Sequence, residues 1–338
     1  MKTAAMLVIT AAYLSLPSLP RADAGDATEG INNCQQTAPC RYEPSGEIEK
    51  KYYARGPWSD VIVSETETPC DSKGNKCLLI YPTNLGANGF KHPIVAYGNG
   101  TNANPMEAAY FLKHLASWGF TVVASEDKQT LPGTTILDSI KFLIAANSDR
   151  SSLFLNRLDV SEIGAAGYSQ GAFGVISAML KSPGLIKTAI AIELPKRAWC
   201  NPACPEPDVR RLTQGSIFFI DGSEDPISPP TQPPGTAGEQ SIDAYYNAVP
   251  DHVMRVKGTL IGPSHNDIAG QPDCAPAAGP GCVTGVYGYL GYPTAWLMDQ
   301  LQGNGDAHGA FAQDTGEIFK KPAPLALRNW EYMASNIH

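Results

Sequence analysis

The sequence predicts an α/β fold with a mostly parallel central sheet and helices on both faces. Two observations carry that prediction. Short continuous apolar runs alternate with segments of helical spacing from about residue 93 to residue 303. The runs lack the polar alternation of a half-exposed strand, so both faces of their sheet must be covered. No composition shift, repeat or linker interrupts residues 52–303, so residues 51–338 read as a single domain.

The elements follow in order. PIVAYGN at 93–99 is a strand running into a glycine turn, and MEAAYFLKHLASWG at 106–119 has helical spacing and stops at Gly119. FTVVASE at 120–126 is a second buried strand. TTILDSIKFLIAAN at 134–147 is a helix, with Thr135 and Asp138 at capping-box spacing. EIGAAGY at 162–168 is a strand and QGAFGVISAMLKS at 170–182 a helix. IKTAIAIE at 186–193 and SIFFIDG at 216–222 are further strands, and EQSIDAYYNAV at 239–249 is a helix. MRVKGTLIG at 254–262 reads as the last strand and GYPTAWLMDQLQG at 291–303 as the closing helix. The Pro-rich piece at 226–238 is a loop, because strand–helix alternation resumes after it.

The chain ends and the cysteines bound the setting. Residues 1–24 read as a signal peptide: Lys2, then an apolar stretch too short and too Pro-broken to span a bilayer, then Ala22-Asp23-Ala24. Residues 25–50 are polar and read as a loosely ordered N-terminal arm. Removing the leader takes the formal charge from −8 to −9, a poor match for nucleic acid or anionic membranes. No later run is long enough to insert in a membrane, so a secreted protein, extracellular or periplasmic, is expected. All 8 cysteines follow the leader in close couples, which suggests local disulfides Cys34–Cys40, Cys70–Cys77, Cys200–Cys204 and Cys274–Cys282. The C-x-x-C spacing of zinc sites is absent, and no metal or organic cofactor is implied.

Chemistry concentrates around Gly167-Tyr168-Ser169-Gln170-Gly171. The pattern alone is weak, since a helix-capping turn serine would look the same. Its place between a strand and a helix is what a nucleophile needs, with small residues two before and two after it. A nucleophile needs a base, and the base needs an orienting acid. Of the histidines, only His265 directly follows the strand at 254–262. For the acid, Asp225 on the loop after SIFFI is favoured over Asp221, which sits at the strand end, and over Glu224. The backbone N–H of Gln170 and one from YGNGT at 97–101 could stabilise an oxyanion. Asn99-Gly100-Thr101 is also a glycosylation sequon; a glycan there would block the site, so Asn99 is expected unmodified. The segment 194–214 is short and leaves no room for a large lid.

LIYPTNLGANGFKHPIVAYGNGT, HLASWGFTVVASE, GAAGYSQGA, DGSEDPISP, GPSHND and GYPTAWLMDQL together resemble the dienelactone-hydrolase-like, PET-hydrolase/cutinase-like branch of the α/β-hydrolases, over roughly residues 52–303. The resemblance implies an α/β-hydrolase fold and a serine ester hydrolase. It implies Ser169 as nucleophile, Asp225 as acid and His265 as base, with the Thr101 and Gln170 amides as oxyanion donors. It departs from the polyester-cleaving members at Thr101, where an aromatic residue is usual, and at Gln170, where Met is usual. Trp199 is a counterpart of their cleft tryptophan, or equally a core or disulfide-packing residue. The implied partner is an ester, small or polymeric; lipid and acetylated-polysaccharide esters stay open, as does a non-catalytic binding protein on the same fold.

Overall fold

In a computed structural model, described for residues 42–200, 208–269, 285–320 and 329–338, the chain forms an α/β fold. A sheet of 9 strands runs in the order β1-β2-β4-β3-β5-β6-β7-β8-β9. The strands are β1 (Val61–Glu65), β2 (Cys77–Pro82), β3 (His92–Gly98), β4 (Thr121–Ser125), β5 (Leu158–Tyr168), β6 (Thr188–Ile192), β7 (Ser216–Gly222), β8 (Met254–Leu260) and β9 (Trp330–Ser335). From β4 through β8 the pairing is parallel, while β1, β2 and β9 pair antiparallel at the two edges.

Successive strand residues point to opposite faces, and each face has its own core. Val95, Tyr97, Ala166, Ile190, Phe218 and Ile220 belong to one cluster. Their neighbours Ile94, Ala96, Ala165, Ala189, Ile217 and Phe219 belong to the other. The first cluster is closed by α1 (Glu47–Tyr53), α2 (Ala109–Ser117) and α6 (Gly291–Gln302). The second is closed by α3 (Thr134–Ala146), α4 (Gln170–Lys181) and α5 (Ile242–Ala248). Burial on both faces is why these strands read as unbroken apolar runs.

The sequence reading needs four corrections. MRVKGTLIG is not the last strand: β9 follows it and pairs with β8. The edge strand β1 and its neighbour β2 precede the first strand read from sequence. Thr135 and Asp138 form no capping box. Helix α3 starts at Thr134 as read, but its cap is Gly133 at φ 72, with no side-chain cap. Thr135 therefore lies inside the helix and donates to Asp127, and Asp138 accepts from Ser72. The capping box is at Asn104 and Glu107, opening a 3-10 turn (Pro105–Ala108) that precedes α2. Fourth, the N-terminal arm enters the fold before residue 50. Tyr42 and Glu49 are buried, and Glu49 accepts from Tyr42, from Ser45 and from the Trp330 indole of β9.

Of the expected disulfides, Cys70–Cys77 is formed. It closes the turn between β1 and β2. Cys34–Cys40, Cys200–Cys204 and Cys274–Cys282 lie outside the described side chains, as does the leader at 1–24. Among the described residues no helix is long and apolar enough to cross a membrane.

Candidate active site

The carboxyl ends of β3, β5, β6, β7 and β8 share one rim of the sheet, because these strands are parallel neighbours. Ser169 stands there, between β5 and α4, at φ 54 and ψ −120. For a serine this is a strained conformation, costing about 1–3 kcal/mol. The glycines around it are sterically required. A Cβ on Gly167 would lie 2.1 Å from the Gly171 carbonyl oxygen, and one on Gly171 would lie 2.0 Å from that of Gly98. The helix therefore packs directly on the β3 and β5 backbones. Ser169 makes no side-chain cap to the helix it precedes. A turn serine would be expected to cap; this one points elsewhere.

The Ser169 hydroxyl meets His265 Nε2 at 2.9 Å, and His265 Nδ1 lies 2.7 Å from Asp225 Oδ2. With Nδ1–H donating to Asp225, Nε2 is left to accept from the serine. The histidine loop after β8 and the acid loop after β7 are tied to each other. Ser223 N–H donates to Leu260 O, Glu224 N–H to Pro263 O, and Gly262 N–H to the Ser223 hydroxyl. Gly222 lets the loops touch, since a Cβ there would lie 2.1 Å from Pro263 O. Beyond His265, buried Asp267 accepts from the Ser264 N–H and hydroxyl and from Gly285 N–H.

The three candidate acids separate by position. Asp225 is 3 % exposed and also accepts from Ile227 N–H at 2.7 Å. Burial pushes its carboxyl up, but hydrogen bonds with His265 and Glu193 outweigh that and hold it below the usual aspartate range. Asp221 is fully buried and accepts from the Thr259 hydroxyl, with no partner on Oδ2. Burial lifts its carboxyl well above the ordinary value. Glu224 is exposed. Neither of these two touches His265 in the hydrogen bonds of the described residues.

On the other side of Ser169, Thr101 and Gln170 line the same cleft. Among the described residues, neither backbone N–H is spent on another acceptor. The Gln170 side chain has a task of its own. Its Nε2 donates to Thr101 Oγ1 at 3.1 Å, and its Oε1 accepts from Leu131 N–H at 3.1 Å. It thereby holds the 100–103 turn against the 128–131 loop, a contact a methionine could not make. Gly100 admits the Tyr168 ring, which a Cβ would meet at 2.7 Å. Asn99 is 1 % exposed, and its Nδ2 donates to the Ser125 and Asp127 carbonyls. In the folded chain that nitrogen is out of reach of a glycosylating enzyme.

These residues line a cleft of about 550 Å³. Its walls include Leu131, Phe173, Pro195 and Ile227 with Tyr168 at the base. Trp199 stands on its rim, 63 % exposed, so it is not a core residue. The stretch 201–207 beside it lies outside the described residues. Glu193 escaped the sequence reading. It ends the apolar run AIAIE, and a carboxyl at the end of a buried strand was the signal that could have found it. No family model matches the chain, and no curated protein matches it.

Proposed function

We propose that this chain is a secreted serine ester hydrolase with an α/β-hydrolase fold, akin to the dienelactone-hydrolase-like, PET-hydrolase/cutinase-like branch. The observation that carries the proposal is Ser169 held at φ 54, with its hydroxyl on His265 rather than on its own helix. His265 takes the Ser169 proton as Oγ attacks the ester carbonyl. Asp225 fixes the imidazole and stabilises its charged form. The Thr101 and Gln170 amides receive the oxyanion. The alcohol leaves with the proton from His265. Water then enters by the same route in reverse and releases the acid.

An apolar cleft with an exposed tryptophan on its rim favours esters with a bulky or polymeric body over small polar ones. Secretion is supported by the leader-like N-terminus and the Cys70–Cys77 disulfide. The decisive test is Ser169→Ala. Turnover of short p-nitrophenyl esters should fall by about 10³-fold or more, and a fluorophosphonate probe should no longer label the protein, while the circular dichroism spectrum stays unchanged. Retained turnover in the folded variant would refute the assignment.

A further inference from the structure

Behind the Ser169–His265–Asp225 relay lies a second carboxyl group that the mechanism above does not use. Glu193 follows β6, the strand between those that lead to Ser169 and Asp225. It is 0 % exposed and sits at φ 49, unusual for a residue with a side chain. Its backbone N–H donates to Ile220 O at 2.7 Å. Its Oε1 accepts from the Tyr289 hydroxyl, and its Oε2 from Gly222 N–H at 3.2 Å. The carboxylate oxygens of Glu193 and Asp225 and a ring nitrogen of His265 fall within 4.8 Å of one another. The two carboxyls face each other in that cluster, and each shifts the other as a hydrogen-bond partner would.

Two carboxylates are both acceptors, so this contact needs a proton on one of them. Asp225 already takes N–H bonds from His265 and Ile227, both of which favour its charged form. Glu193 accepts only from the Tyr289 hydroxyl and Gly222 N–H among the described hydrogen bonds. The titratable groups around it are Tyr168, Tyr289, Asp221, Asp225 and His265. Burial first, and then Asp225, raise its carboxyl well above the usual glutamate range. The proton belongs on Glu193.

We propose that Glu193 is a positioning residue for the triad acid: its carboxyl O–H donates to Asp225 and fixes the carboxylate that holds His265. The inference rests on the reading of Asp225 and His265 as acid and base. Its consequence is electrostatic as well as geometric. A donor on Asp225 spreads that carboxylate's charge, so Asp225 stabilises the imidazolium less than it would alone. Loss of the Glu193 donor should therefore strengthen the hold of Asp225 on the protonated imidazole.

The test is the titration of the His265 imidazole followed by ¹⁵N NMR in the full protein, paired with the acid limb of kcat/KM on p-nitrophenyl acetate. Glu193→Gln retains a neutral donor and should keep the titration near its wild-type position. Glu193→Leu removes the donor and should move it up by about one pH unit, a tenfold change in proton concentration, with the acid limb following. Tyr289→Phe removes the other side-chain contact of Glu193 and should leave the titration in place, which a merely structural role for Glu193 would not predict. A folded Glu193→Leu protein that titrates like wild type overturns the proposal, and so does Glu193→Gln shifting as far as Glu193→Leu. Infrared difference spectroscopy at pH 7 keeps the proposal falsifiable if Glu193→Leu does not fold. The wild-type-minus-Glu193→Gln spectrum should show the C=O band of one protonated carboxyl, over those that Asp221 and Glu49 keep in both proteins, and its absence also overturns the proposal. The NMR and infrared readouts do not depend on turnover, so an inactive protein would sink the esterase reading without deciding this one.

Discussion

Asp225 and Asp221 stand four positions apart on one strand–loop junction, yet their surroundings assign them opposite electrical states. Asp225 is kept ionised by N–H donors, one of them the His265 imidazole. Asp221 sits wholly in the protein interior beside a single hydroxyl, and burial raises its carboxyl well above the ordinary aspartate range. Asp225→Asn should therefore lower kcat by about 10³- to 10⁴-fold, because an amide cannot hold the imidazole in the required tautomer. Asp221→Asn should leave kcat within about threefold, a neutral side chain replacing a neutral one. Steady-state kinetics on the two purified variants decides the matter; equal losses would show that the acid has been misassigned. Ser169, Asp225 and His265 could be read from the sequence because each occupies a fixed point relative to a strand end. Glu193 showed only as a carboxyl at the end of an apolar run; its partners Tyr289 and Gly222 are distant in sequence and only the fold brings them together.

At the scale of elements, the junction of β3, β5 and α4 depends on the absence of side chains. Gly98 and Gly167 are register partners in the sheet, and Gly171 opens the helix that lies across them. Backbone carbonyls, not flexible side chains, would receive a Cβ on Gly171. Gly171→Ala should destabilise the fold by about 3 kcal/mol and abolish fluorophosphonate labelling, since the helix must lift and take Ser169 with it. Gly74→Ala is the comparison: at φ 85 with nothing within 4 Å, it should cost only about 1 kcal/mol of backbone strain. Urea midpoints for the two variants test the contrast, and a Gly171→Ala protein as stable as Gly74→Ala would contradict it. Strands β3 to β8 were legible because doubly covered strands are apolar throughout; β2, equally buried, was missed. The edge strands were not. In β1 every residue is at least partly exposed, and β9 mixes Glu331, Ala334 and Ser335 with its aromatics. The cap of α3 was misassigned because Thr135 and Asp138 have capping spacing, while the Gly133 turn that starts the helix depends on contact with α4.

Across the whole molecule, buried carboxyls of two kinds set opposing limits on stability as pH changes. Glu49, Glu193 and Asp221 are raised in the fold, each chiefly by burial. The stability linked to them is fully present below their ordinary values, 4.5 for glutamate and 3.8 for aspartate, and is lost as pH rises through their folded values. Asp71 and Asp225 are lowered: burial raises both, and hydrogen bonds from Ser125 and His265 respectively lead the effects that outweigh it. Their contribution is present above 3.8 and is lost as pH falls through their folded values. The melting temperature should thus peak on the acid side of neutrality and decline toward alkaline pH. Self-repulsion in a chain of net charge −8 acts in the same alkaline direction, so the profile alone does not identify the cause. Asp221→Asn does. Its Oδ2 has no hydrogen-bond partner to lose, and asparagine has no proton to give up. The variant should lose less stability than wild type between neutral and alkaline pH, while at pH 4 it should be no more stable than wild type. Thermal melts across that range check both statements. An alkaline slope as steep as the wild type's would mean that Asp221 is already ionised in the folded protein over that range, and the decline would then have to come from Glu49, Glu193 or net charge.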